Sequence, residues 1–510
     1  MSPNLTKKAG QEVEIAAWLK ARSERTIETA CARVFLAGEV AWKLKRNVDL
    51  GYVDFSTREK RKWALDRELD FNRTAAPDIY RSVRAITREA DGSLAWDGAG
   101  KTLEYALEMR RFDDAAVLSA NPGVIDGEMA DALGRTIAGY HAAAALRPGG
   151  GLSALEWTIN SNAGLLCERA ETLGADRVET LIEQTYAELE RQRPLLAQRT
   201  AGGFARRCHG DLHLANILIE NGAPVLFDCI EFNDLLSDLD VYYDLAFLLM
   251  DLGFRDRRDA GVRVQSAYLD EAARSSPDAM WDGLAALPLM LSVRAAVRTH
   301  VATHSGDITL AKAYLEAAIA HLSPPPPVLA AVGGLSGSGK SSFARAIAPG
   351  LGASPGAVVL RTDEIRKRLM NVAPTERLPD SAYAGDLYGR SYDALIENAR
   401  AMLKAGRAVV LDATFIDPAL RARAEQLAAD CGVRFHGVWL EAPLNTLKTR
   451  VESRTGDASD ATVQTLDDQL ARLKVEAAWT RVDTSRPIDA AAQAWLAVTL
   501  PTNAGPNSVG

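Results

Sequence analysis

HGDLHLANILIENGAPVLFDCIEFND, residues 209–234, decides how the longer, N-terminal part of this chain is read. Asp211 stands in a loop entered from a strand-like segment, and Asn216 follows five residues later. ILI and VLF read as a tight hairpin that delivers Asp228. A carboxylate to orient a hydroxyl, with an amide and a second carboxylate to hold Mg²⁺, is the set that phosphoryl transfer from ATP requires. Donor and acceptor both carry charge in that chemistry, so the protein's work is positioning and electrostatic screening.

Upstream, TIETACARVFLAG (26–38) and EVAWKLKR (39–46) read as a hairpin around Gly38, with Lys43 on its second strand. STREKRKWALDRELDFNRTA (56–75) reads as a serine-capped helix whose Glu68 can pair with Lys43 and direct it at the α- and β-phosphates. Lys45 lies on the same strand face by period two and is the rival for that role, with Lys43 preferred. YRSVRAITREADGSLAW (80–96) reads as a second hairpin turning at Asp91-Gly92, and LEYALEMRRF (103–112) as a further strand. From about 113 to 322 the pattern is mostly helical, as in MADALGRTIAGYHAAAAL (129–146) and ETLIEQTYAELERQRPLLAQ (179–198). The expectation is a small β lobe over about 15–112 and a helical lobe over about 113–322. A polar loop or a solvated strand lysine explains any one of these features, but not all of them in this order.

Downstream, the proline run at 323–327 reads as a stiff linker. Residues 328–500 then alternate the strand-like runs VLAAVGG, GAVVLRT, AVVLDATF, RFHGVWLEA and, more weakly, RPIDAAA with helical stretches, which predicts a parallel sheet with crossover helices. GLSGSGKS (334–341) is G-x-x-x-x-G-K-S between the apolar run VLAAV and the helical SFARAIA, the context a P-loop requires. Gly334, Leu335, Ser336, Gly337, Ser338, Gly339, Lys340, Ser341 and Ser342 are the expected phosphate cradle, with Lys340 also catalytic and Ser341 a Mg²⁺ ligand. Asp363 follows VVLRT and Asp412 ends AVVLD. Asp363 is expected on the acceptor side as a base and Asp412 as the second metal position, helix N-caps being the alternative for each. Arg366 and Arg368 follow on the next helix, and Arg450 and Arg454 share a helical face, so all four are candidate phosphate clamps.

On these motifs, residues 26–300 resemble the aminoglycoside phosphotransferase family, a branch of the protein-kinase-like fold, with HGDLHLAN as its catalytic loop and FDCIEF as its metal-binding segment. The resemblance implies that Asp211 is the catalytic aspartate, Asn216 and Asp228 the magnesium ligands, and Lys43 the nucleotide lysine with Glu68 as its partner. It makes His209 and His213 structural. Residues 328–490 resemble the small P-loop kinases of metabolites, nucleotides or polynucleotide ends, through TDEIRKRL, LDATF and the R-x-x-x-R before GDASD. By that likeness Asp363 would be the base for an acceptor hydroxyl, and Arg450 and Arg454 a closing lid. The whole chain is similar to bacterial bifunctional aminoglycoside phosphotransferase/ATP-binding proteins, and KLKRNVDLGYVDFSTREKR (43–61) supports the match. It departs from the kinase pattern in having no G-x-G-x-x-G in the first hairpin and in reading DCIE where protein kinases read DFG. Glu231, Asn233, Asp240 and Asp244 continue the acidic run, with Asp240 or Asp244 expected either to bind the acceptor or to cap the next helix.

Composition sets the outer bounds. The 510 residues are 47% hydrophobic and 25% charged, which excludes disorder or coiled coil as a description of the whole. A net charge of −8 argues against an extended nucleic-acid surface. Five scattered cysteines form no disulfide or zinc pattern. The start lacks a secretory h-region, and the apolar patches LAFLLM and LAALPLMLSV are shorter than a span, so a cytoplasmic, membrane-free protein is expected. The sequence therefore predicts an α+β two-lobed protein-kinase-like domain (1–322), the linker (323–327), an α/β P-loop kinase domain with a parallel sheet (328–500) and a disordered tail (501–510). The expected activity is phosphate transfer from ATP or GTP, with Mg²⁺, to hydroxyl groups of small molecules at two nucleotide sites. Two rival readings are a nucleotide or polynucleotide end kinase in the C-terminal half, and a non-catalytic nucleotide-binding regulatory role for one domain. Oligomeric state is left open.

Overall fold

Residues 25–110, apart from a helix over 58–75, supply one antiparallel sheet of β1 (Arg25–Glu28), β2 (Ala32–Ala37), β3 (Val40–Lys45), β4 (Tyr80–Arg88), β5 (Leu94–Trp96) and β6 (Lys101–Arg110), in the order β1-β2-β3-β6-β4-β5. In this computed structural model the described residues are 3–49, 53–275, 281–374, 376–379, 386–453, 459–473 and 478–499. The run expected as a single first strand is two, because the chain turns back after Glu28 and β1 pairs antiparallel with β2. On β3, Ala41 packs with Leu36, Leu65 and Leu107, whereas Leu44 packs with Phe35, Ile86 and Leu103 on the opposite face. Alternation therefore places Lys43 and Lys45 on the face of Ala41, under helix Arg58–Ala75. That helix is capped one residue beyond the expected serine, by Thr57, whose hydroxyl accepts from the Lys60 amide at 3.2 Å. Its buried residues Ala64, Leu65, Glu68 and Asn72 form one stripe, so Glu68 is carried into the interior beside the two lysines.

Contacts divide the chain into two compact units. The first is Met1–Val124 with Ala145–Ala154 and Ala205–Asp240. Besides the sheet it holds β7 (Ala205–Arg207), β8 (Ile217–Glu220), β9 (Ala223–Leu226) and β10 (Asp238–Asp240). Helix Pro3–Lys20 precedes the sheet, and its Ile15 and Leu19, one turn apart, pack into it.

The second unit is Ile125–Ala144, Leu155–Phe204 and Val241–Gly510. Its helices include Gly127–Ala143, Ala175–Ala201, Val241–Phe254, Arg258–Ala272, Leu287–His304 and Ile308–His321. The helical stretch Asp282–His304 is long and apolar enough to cross a membrane by length and composition, and 67% of its 18-residue apolar window is buried within the protein. A parallel sheet follows, built of β11 (Val328–Gly334), β12 (Val358–Arg361), β13 (Val409–Asp412), β14 (Arg434–Glu441) and β15 (Thr480–Asp483), ordered β12-β13-β11-β14-β15. RPIDAAA is not its fifth strand: TRVD supplies that strand, and the alanines of RPIDAAA open helix Ile488–Thr499, as their helix propensity favours. Val332, Phe343, Val410 and Val438 form the core of the sheet, and Val262 from helix Arg258–Ala272 joins them. Pro324–Pro326 are exposed and without regular structure, and the segments on either side of them belong to the same compact unit. The tail 501–510 lies outside the described residues.

Candidate active site

The first site lies wholly within the first unit and begins with a loop that only its own sequence permits. Gly210 has φ +86°, and a Cβ there would stand 2.5 Å from the Leu236 carbonyl oxygen. His209 is fully buried; its Nε2 donates to the Phe227 carbonyl at 2.9 Å and its Nδ1 accepts from the Asp211 amide at 3.3 Å. The imidazole thus ties the loop to the end of the β8–β9 hairpin. His213 caps the 3-10 turn Leu214–Asn216, accepting from the Ala215 amide. That turn aims Asn216 back at Asp211, with Nδ2 donating to the Asp211 carbonyl and to Oδ2, both at 2.9 Å.

Asp228 sits at φ +64°, a conformation costly for a residue other than glycine and held here by two anchors. Its own amide donates to the Tyr80 hydroxyl at 3.0 Å, and the next amide, of Cys229, donates to Asn72 Oδ1 at 2.9 Å. The turn brings the Asp228 carboxylate to Lys43 Nζ at 2.7 Å, while the same ammonium meets Glu68 at 2.6 Å. Lys45 also touches Glu68, at 2.7 Å, but its second partner is Glu231 at 2.6 Å. The pair left open in the sequence is thereby separated: both lysines reach Glu68, and of the two Lys43 is the one bonded to Asp228. Burial disfavours the charge on Lys43, yet Asp228 and Glu68 outweigh it and hold its pKa well above the ordinary ammonium value. Asp228 is held below the usual carboxylate range by Lys43 in spite of burial. Burial pushes the Glu231 carboxyl up, with Lys45 opposing it. The Asp211 and Asp228 side chains stay 38% and 45% exposed, so both open onto solvent or a ligand. In the second unit, Asp244 is instead fully buried against His141 Nε2 at 3.1 Å, in the first turn of helix Val241–Phe254.

The second site is the P-loop between β11 and helix Lys340–Ile347. Gly337 has φ +82°, and a Cβ there would meet the Leu447 carbonyl oxygen at 2.5 Å, so this turn requires glycine. Lys340 Nζ donates to the Leu335 carbonyl at 2.9 Å, folding over its own loop. The Ser336 amide donates to Gln469 Oε1 at 2.8 Å, and Thr484 Oγ1 donates to the Ser338 carbonyl at 2.9 Å. A cleft of about 930 Å³ opens beside the loop, lined among others by Lys340, Ser341, Asp363, Arg366, Tyr388 and Asp412. Asp363, in the first turn of helix Thr362–Leu369, pairs with Arg366 at 2.8 Å, and Asp412 ends β13. Neither Arg368 nor Arg450 lines this cleft. Arg368 pairs with Asp270, and Arg450 donates to the Thr484 carbonyl at 2.7 Å, bracing the backbone behind the loop. Arg454 lies outside the described residues.

Sequence reasoning passed over Arg361. It ends β12 in register with Asp412 on β13, 3% exposed, with Nε donating to Asp412 Oδ2 at 3.1 Å and Nη2 to Ser341 Oγ at 3.0 Å. The one signal was a basic residue at the polar end of an apolar strand, in VVLRT. Asn216 with Asp228, and Ser341 with Asp412, are hard oxygen donors of the type Mg²⁺ takes, so the residues of both sites fit that ion.

Fold and sites together define a kinase-type phosphotransferase. The family model "Phosphotransferase enzyme family" matches residues 55–287, and the model "AAA domain" matches residues 329–475. The chain is 31% identical over 482 residues to "Uncharacterized protein Rv2004c" of Mycobacterium tuberculosis, covering 90% of this chain and 92% of that one. It belongs to this bacterial family, in which a kinase-like phosphotransferase domain is fused to a P-loop kinase domain. Among solved structures it is similar to a choline kinase from Cryptosporidium parvum, at 10% identity and TM-score 0.39, over 61% of this chain and 94% of that one. It is also similar to the APS kinase CysC of Mycobacterium tuberculosis, at 23% identity and TM-score 0.24, over 34% of this chain and 98% of that one.

Proposed function

We infer that the chain carries two separate nucleotide sites, each transferring the γ-phosphate of ATP, with Mg²⁺, to a hydroxyl group of a small molecule. In the first, Lys43 would contact the α- and β-phosphates and Asp211 would accept the proton of the attacking hydroxyl as its oxygen bonds to the γ-phosphorus and ADP departs. Asn216 and Asp228 would hold the ion, which when bound offsets charge on the phosphates. In the second, the amides of 334–342 and Lys340 would cradle the phosphates, Ser341 and Asp412 would hold the ion, and Asp363 would take the acceptor's proton. Arg366, paired with Asp363 in the cleft, is placed to orient that carboxylate.

The observation that carries this reading is the Lys43 bridge between Glu68 and Asp228, made from three distant segments beside Asp211 and Asn216. Mere packing does not need two lysines and three carboxylates converging in one cluster. The test is phosphate transfer from γ-labelled ATP by the full chain to a panel of sugars, amino alcohols and nucleosides. D211A should abolish transfer to one group of acceptors and K340A transfer to another. Undiminished transfer in the double variant would overturn both assignments.

A further inference from the structure

We propose that Arg361 is a built-in counter-cation of the P-loop site: its guanidinium competes with a divalent cation for Ser341 and Asp412, making cation binding there depend on nucleotide. This rests on the reading of Ser341 and Asp412 as a cation-holding pair. Arg361 is buried and permanently charged, and its planar fork donates to three oxygens among its partners. Nε takes Asp412 Oδ2 at 3.1 Å, Nη2 takes Ser341 Oγ at 3.0 Å, and Nη1 takes Glu364 Oε1 at 3.0 Å. The first two acceptors are the oxygens a hard cation would use. A divalent ion brought to them meets a fixed positive charge at close range, where burial leaves the repulsion poorly screened.

The guanidinium also has somewhere to go. Glu364 already holds one of its nitrogens, and Glu364 is itself backed by Arg345 at 3.8 Å, which in turn lies 3.5 Å from Asp131. A triphosphate in the loop adds negative charge that draws the guanidinium off Asp412 and Ser341 and releases both oxygens to the ion. Nucleotide and cation would then bind together at this site, and the cation alone would bind poorly.

The test uses full-length protein carrying D228N, so that the kinase-like site does not hold the probe, and reads Mn²⁺ binding by electron paramagnetic resonance. Without nucleotide, R361Q should bind Mn²⁺ at least about tenfold more tightly than its Arg361 parent, while R361K, which keeps the charge, should behave as the parent. A non-hydrolysable ATP analogue should bring the parent to within a few-fold of R361Q. R361M stands in if thermal melts show R361Q misfolded. Equal Mn²⁺ affinity of parent and neutral variant without nucleotide overturns the inference alone. No Mn²⁺ binding by either, even with the analogue, overturns it together with the cation-pair reading.

Discussion

In the first site the cation Lys43 is held by carboxylates 25 and 185 positions away in sequence, whereas in the second a run of consecutive residues shapes the cradle by itself. The first is a network of side chains, in which each charge depends on an opposite one brought by tertiary folding. The second is made largely of backbone amides, and its side chains Lys340 and Arg361 lie on neighbouring backbone or on strand-end partners. Phosphate can thus be met by assembling charges or by shaping a loop. The two designs should fail differently: the first through single charges, the second through φ.

The largest contrast is expected in catalysis. D211N should lower transfer by the first site by roughly 10²–10⁴-fold, the range for losing a positioned acid–base group, and leave the second site's transfer unchanged. Conversely, G337A forces a Cβ onto the Leu447 carbonyl and should abolish nucleotide binding at the P-loop while the first site keeps its affinity. Transfer assays read the first effect and calorimetric titration the second, and a loss at both sites from either change would merge the two designs.

Stability should separate the sites next. Removing one partner of a buried ion pair costs about 3–5 kcal/mol, and K43A should fall at the low end because Lys45 still meets Glu68. K45A leaves both Glu231 and Glu68 short of a partner while Lys43 keeps its bonds, so it should cost a similar amount in urea unfolding but spare nucleotide affinity more. Equal loss of affinity in the two variants would make Lys43 no more than a structural lysine.

The smallest difference is in acid. His300 and His321, both in the second unit, have pKa values lowered by burial to about 4 from an ordinary 6.5. Their folded forms stay neutral while the unfolded chain takes up protons, so the stability they contribute is present above about pH 6.5 and is lost as pH falls toward 4. Asp228, whose folded pKa is depressed, loses its contribution only below the ordinary carboxylate range. Between pH 6.5 and 5, hydrogen exchange should therefore rise in the second unit before the first, once corrected for the intrinsic rate. Simultaneous loosening would remove this distinction.

The same contrast explains what the sequence disclosed. The P-loop was legible because strand, loop and helix are contiguous and their glycines and lysine stand at fixed spacing. HGDLHLAN was legible for the same reason. Lys43 was preferred to Lys45 but the two stayed rivals, because alternation puts both on one face, and the Asp228 carboxylate that distinguishes them is 185 positions away in sequence. Arg361 was illegible as a site residue, since its role comes from β12–β13 register across 51 positions. Arg450 and Arg368 were read as clamps from charge and spacing, and Arg450 also from resemblance. Their directions are set by Thr484 and Asp270, which no local pattern announces.

Two independent phosphate sites in one chain is the central claim, and nucleotide stoichiometry tests it most directly. Equilibrium titration of the full chain with a non-hydrolysable ATP analogue and Mg²⁺ should give two bound per chain, one in K340A, one in K43A and none in the double variant. A single nucleotide per chain, lost equally in K340A and K43A, would contradict it.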